Sequence, residues 1–123
     1  IPTYSFKYLF NGQSNLLNAE DLILNNITNV SNYGFYSTFV GCSSLATAPS
    51  FENVTTVGAN GFRGCFQRCT SLTTAPSFSN VTTVGFNGFY NCFQNCTSLQ
   101  LVYAPNVTTW DTSKFGPEQL SLF

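Results

Sequence analysis

From Cys42 onward the hydrophobic and polar positions of this chain recur with a period of 27 residues. The segment CSSLATAPSFENVTTVGANGFRGCFQR returns at Cys69 as CTSLTTAPSFSNVTTVGFNGFYNCFQN and starts again at Cys96 as CTSLQLVYAPNVTTW. Leu45, Leu72 and Leu99 keep one register, as do Val54 and Val81, Val57 and Val84, and Phe62 and Phe89. One period earlier, Val30 and the run GFYSTFVGC from Gly34 to Cys42 mark a diverged coil that starts near Leu22. After Cys96 one residue is lost, so that Val107, Trp110 and Phe115 match Val81, Val84 and Phe89 at a spacing of 26. A fixed period in this range marks a stacked-coil protein, because one coil cannot bury its own apolar face and needs neighbours.

The pattern within a coil predicts three pieces. LTTAPSF is too short for a helix and is stopped by proline, which predicts a short strand ending at Pro49 or Pro76. NVTTVG sets two valines three residues apart before Gly58 or Gly85, which predicts a tight turn rather than a ladder strand. In GFYNCFQNC, Phe89, Cys92, Phe93 and Cys96 stand at i, i+3, i+4 and i+7, the spacing of one helical face. The expected fold is therefore an α/β solenoid, a right-handed stack of three to four coils. Each coil would carry a short parallel strand, a turn and a short helix. The coils fall at about 22–44, 45–71, 72–98 and 99–110. Residues 1–21, where YSFKYLF runs into Asn11-Gly12, predict an N-terminal cap built as a hairpin, and 111–123 a C-terminal cap.

The string F-x-x-C-x-S-L-x-x-A-P, followed by N-V-T-x-V-G and G-F, resembles the BspA-like leucine-rich repeats of bacterial and protist surface proteins over residues 22 to 110. Those repeats are commonly about one helical turn, roughly four residues, shorter. The extra length lies in a doubled unit, Phe62-Arg-Gly-Cys65 followed by Phe66-Gln-Arg-Cys69, which would lengthen the outer helix. The resemblance implies a secreted or surface-displayed protein engaged in adhesion to proteins, cells or matrix. Similar repeats in phage particles imply an alternative, a structural subunit of a virion or filament whose faces pack between copies. Fold likeness alone does not supply the ligand.

Composition narrows the chemistry. Charged residues make up only 7% of the 123 residues and the net charge is −1, so no nucleic-acid footprint is expected and polyanion recognition is disfavoured. Low net charge favours association. No apolar run of about 18 residues could cross a bilayer, and no leader pattern precedes the repeats. The chain as given is expected to be soluble, with no direct membrane insertion. It begins at Ile1 and contains no methionine, as a processed product or a piece of a longer protein would.

There is no histidine, so Ser-His and Cys-His nucleophile pairs cannot be built and the usual zinc ligand sets lose a main member. Glu20, Asp21, Glu52, Asp111 and Glu118 are scattered and do not recur in the coils, so paired carboxylates would converge only by chance. Gly58, Gly61, Gly85 and Gly88 are corner glycines, not a phosphate loop, since no Lys-Ser/Thr follows. No catalytic, cofactor-binding or metal-binding residue is assigned, no cofactor is expected, and the chain is read as a non-enzyme.

Cys42, Cys65, Cys69, Cys92 and Cys96 admit three readings. Cross-coil disulfides Cys42–Cys65 and Cys69–Cys92 would leave Cys96 over. A metal could use Cys65, Cys69, Cys92 and Cys96. Buried thiols packing as small hydrophobes are the favoured reading, because neighbouring helix axes lie about 8–10 Å apart while a disulfide needs Cα atoms within about 7 Å. Asn26, Asn29, Asn53, Asn80, Asn95 and Asn106 fit the glycosylation pattern. Positions that vary between otherwise copied coils are the candidate partner contacts: Tyr36, Arg63 and Tyr90 at one site, Arg68 with Gly41 and Asn95 at another, and Thr47, Thr74 and Leu101 at a third. The expected partner is a protein or glycan surface, or further copies of the chain.

Overall fold

A computed structural model describes residues 5–19, 24, 26–99, 102 and 104. Their three strands form one open parallel sheet in the order β1-β2-β3: β1 is Asn29–Val30, β2 Thr56–Val57 and β3 Thr83–Val84. The register pairs Asn29 with Thr56 and Thr56 with Thr83, and Val30 with Val57 and Val57 with Val84. Each step is one sequence period, so a copied segment always meets its own copy. β-branched residues suit this pleated ladder, and alternation puts the valines inside while Asn29 and Thr83 face solvent.

Two expectations trade places here. NVTTVG, expected as a turn, supplies the ladder strands. LTTAPSF, expected as the strand, contributes only isolated parallel bridges from Asn18 to Thr47 and from Thr47 to Thr74. Glycine ends the β2 strand because the coils are pressed together at the corner: a Cβ on Gly58 would lie 2.7 Å from Asn32 Oδ1 and 2.9 Å from the Asn32 amide nitrogen.

The strand–turn–helix coil is overturned more directly by the segment that follows each strand. The described residues contain no helix. Backbone φ is instead positive at every fourth position, at Tyr33, Ser37 and Gly41, at Asn60, Gly64 and Arg68, and at Asn87, Asn91 and Asn95. The amides alternate in direction. Those of Gly34, Tyr36, Thr38, Val40 and Cys42 donate to the carbonyl three residues back, at 2.9–3.5 Å. Those of Tyr33, Phe35, Ser37, Phe39 and Gly41 donate to Ala59, Gly61, Arg63, Cys65 and Gln67 of the next repeat, at 2.7–3.1 Å. An α-helix would spend every interior amide on its own chain. This ribbon of four-residue turns spends half of them on its neighbour.

Residues 5–12 belong to the same ribbon and do not form the expected hairpin. The amides of Phe6, Tyr8, Phe10 and Gly12 donate to Gly34, Tyr36, Thr38 and Val40, and φ is positive at Tyr8 and Gly12. Asn11-Gly12 turns the chain without joining two antiparallel strands. The expected coil at 99–110 is described only at Leu99, Val102 and Ala104, and the expected cap at 111–123 lies outside the described residues.

Between sheet and ribbon runs a core of columns. Phe35 stacks on Phe62 and Phe62 on Phe89, both at 5.3 Å between ring centres, while Phe39, Phe66 and Phe93 repeat the arrangement at 5.2 and 5.5 Å. Phe6 and Phe10 extend the two columns by stacking on Phe35 and Phe39. Phe51 and Phe78 meet the first column edge-on. Each buried phenylalanine contributes roughly 1.5–3 kcal/mol. The columns fix the register that the turns and short strands alone would leave weak.

Candidate functional site

The ribbon presents, on its outer side, the residue that follows each column phenylalanine. These residues are Lys7, Tyr36, Arg63 and Tyr90, after Phe6, Phe35, Phe62 and Phe89. Cation and aromatic ring therefore alternate over four successive coils. Lys7 Nζ lies 5.1 Å from the Tyr36 ring centre, and the Arg63 guanidinium lies 5.9 Å from Tyr36 and 5.2 Å from Tyr90. All four residues are partly exposed.

Neighbouring groups hold the row in place. Lys7 Nζ is also 5.1 Å from the Tyr8 ring and 5.4 Å from that of Tyr33. Tyr8 meets Tyr36 edge-on at 5.6 Å, and Tyr33 meets it tilted at 5.4 Å. Arg63 Nη1 donates to Asn60 Oδ1 at 3.3 Å, which tethers the guanidinium to its own turn. Each cation–π contact at such a partly exposed site is worth about 0.5–1 kcal/mol. Both Lys7 and Arg63 lie within 5.9 Å of the Tyr36 ring centre, so the row places an ammonium, a phenol, a guanidinium and a phenol in turn along partly exposed positions.

Tyr36, Arg63 and Tyr90 form one variable position in the sequence, and the structure brings them together as one row. Sequence reasoning misses Lys7. Its signal is legible: FKYLFNG from Phe6 to Gly12 aligns on FYSTFVG from Phe35 to Gly41, but at an offset of 29 instead of 27. Arg68 is exposed and sits at a left-handed position equivalent to Gly41 and Asn95. Thr47 and Thr74 pair across the isolated bridge, with Thr74 exposed and Thr47 partly so. Leu101 lies outside the described residues, as do Glu20, Asp21, Asp111 and Glu118. Of the glycosylation candidates, Asn26, Asn29, Asn53, Asn80 and Asn95 are exposed and Asn106 lies outside the described residues. The Asn80 side-chain amide donates to the Glu52 carbonyl at 2.6 Å.

All five cysteines are free and buried, so neither Cys42–Cys65 nor Cys69–Cys92 is bridged. The stacking puts like with like: Cys42, Cys69 and Cys96 form one column, and Thr38, Cys65 and Cys92 another. In the first column each thiol donates to the phenylalanine carbonyl of the preceding coil, at Phe10, Phe39 and Phe66 over 3.2, 3.1 and 2.9 Å. Thr38 uses its hydroxyl in the same way, toward Phe6. Burial pushes every thiol up from its ordinary range, most strongly at Cys65 and Cys92, and takes Cys96 to about 11. These are protonated hydrogen-bond donors, without the thiolate that nucleophilic chemistry needs. Among the described residues no three His, Cys, Asp or Glu side chains converge as a metal site.

Comparison with family models, with curated proteins and with solved structures found no match to this chain.

Proposed function

We propose that this protein is a non-enzymatic interaction module that presents the row Lys7, Tyr36, Arg63 and Tyr90 to a macromolecular surface outside the cell. The observation that carries this reading is the row itself. At this partly exposed position the repeats carry tyrosine and arginine, types that most often anchor protein contacts, with Lys7 at the end of the row. The lack of histidine supports a role without catalysis. The likeness of the repeat motif to BspA-like surface proteins, as a string of residues, supports the extracellular setting.

Adhesion of the purified protein to immobilised cells and extracellular matrix tests it, with Tyr36→Ala and Arg63→Ala as probes. Removal of an anchor costs about 2 kcal/mol or more, about thirty-fold in affinity. Urea denaturation of each variant separates lost binding from lost folding. Adhesion that persists undiminished in folded variants would remove the row from the interface.

The first coil favours a second reading, in which copies of the chain pack into an assembly. Leu9, next to the exposed Tyr8 in the chain, and Leu17 are 55% and 68% exposed there. Light scattering over a concentration series tests this one. Growth of the particle that is abolished by Leu9→Ser with Leu17→Ser supports it, and a monomer at every concentration rejects it.

A further inference from the structure

Resting on the interaction reading, we infer that the ligand of the row is a linear acidic polysaccharide that carries a carboxylate on every second sugar. Although the whole chain has a net charge of −1, three of its four basic residues are on the turn ribbon, and Lys7 and Arg63 share one row. The one acidic residue among those described, Glu52, is in the turn that leads to β2. Among the described residues, the row carries two positive charges and no negative one.

Spacing selects the polymer. The coils beneath the row are joined by strand pairing, which spaces them about 4.8 Å apart, a length comparable to one pyranose in an extended chain. The cations recur at alternate coils, about 10 Å apart by the usual strand spacing. An extended acidic peptide repeats its same-side carboxylates at about 7 Å and would fall out of register with Lys7 and Arg63. A polysaccharide with one uronate per disaccharide matches the interval between Lys7 and Arg63.

The chemistry of the intervening positions agrees. Tyr36 is partly exposed beside both cations, so its phenol stands where a ligand held by them would pass. A phenol hydroxyl both donates and accepts, as a neutral sugar between two uronates requires. Arg63 keeps part of its five-donor fork for a carboxylate while one nitrogen is tied to Asn60. Acid sugars would pair with Lys7 and Arg63, and neutral sugars with Tyr36 and Tyr90.

The test is calorimetric titration of the intact chain with hyaluronan oligosaccharides, at low and at physiological salt. The same oligosaccharides with methyl-esterified carboxyls isolate the charge, and poly-L-glutamate represents the peptide. Hyaluronan is expected to bind with an affinity that falls as salt rises. Lys7→Gln and Arg63→Gln are each expected to weaken it about tenfold, while Arg63→Lys retains most of it. Unchanged cooperative urea unfolding certifies the variants. Equal binding of the esterified form, tighter binding of poly-L-glutamate, absence of hyaluronan binding, or indifference to Arg63→Gln would each overturn the inference. If adhesion still depends on Tyr36 and Arg63 in those cases, the interaction reading stands without the acidic glycan. If adhesion ignores them too, both fall.

Discussion

Replacing Gly64 with alanine separates the turn ribbon from a helix by the sign of its effect. In an exposed helix interior, Gly→Ala stabilises by about 1 kcal/mol. In the ribbon Gly64 has φ +61°, where an L-residue with a Cβ pays about 1–2 kcal/mol. A Cβ there would meet Ser37 Oγ at 3.3 Å and Gln67 Oε1 at 3.5 Å; both are side-chain atoms that can shift, so the steric term is small. Alanine also restricts the unfolded chain, which returns about 0.4–1 kcal/mol. The net expectation is a loss of about 0.5–1 kcal/mol, against a helical gain of similar size. Gly12, with φ +77° and no atom within 4 Å of where a Cβ would stand, isolates the backbone term. Urea denaturation reads both variants. With a slope of about 1–3 kcal/mol/M, each midpoint should fall by a few tenths molar at unchanged slope. A rise in the Gly64→Ala midpoint would refute the ribbon.

The other expectations concern the core and the thiols. Phe62 stacks on Phe35 and Phe89 and meets Phe51 and Phe78 edge-on, so Phe62→Ala should cost about 4–5 kcal/mol. That is a large share of a domain's usual 5–15 kcal/mol. Phe10→Ala, with one stacked partner and half-burial, should cost clearly less, and equal midpoint shifts in urea would contradict the column picture. Stability should also depend on alkaline pH. Below about 9 the Cys96 thiol is protonated in both folded and unfolded chains, and its contribution is complete. Between about 9 and 11 only the unfolded chain ionises, so stability falls by about 1.4 kcal/mol per pH unit from this thiol. A flat unfolding midpoint from pH 8 to 10.5 would argue against buried, protonated cysteines. Iodoacetamide should label the native protein far more slowly than the protein in urea, as mass spectrometry would record, whereas rapid labelling at neutral pH would show that the columns open.

The period of 27, the stacking of like on like, and the burial of the phenylalanine, valine, leucine and cysteine columns were legible in the sequence. A stack copies each environment, so a copied residue implies a copied place. Tyr36, Arg63 and Tyr90 could be grouped for the same reason: each follows the constant Phe35, Phe62 or Phe89, yet varies itself. Helix or turn could not be decided from spacing. F-x-x-C-F-x-x-C has a period of four, which drifts only about 40° per unit from a helical face, so two units stay inside an apolar stripe about 100° wide. The deciding terms are tertiary. Left-handed positions at Asn60, Gly64 and Arg68 aim alternate amides away from their own segment, and only a neighbouring coil can accept them. The same neighbour turns NVTTVG into a ladder, because two-residue strands such as Thr56–Val57 exist only when β1 and β3 lie alongside. Lys7 enters its row in this way too: the chain before β1 is longer than one period, and only the stacking of Phe6 on Phe35 shows which residue stands beside Tyr36.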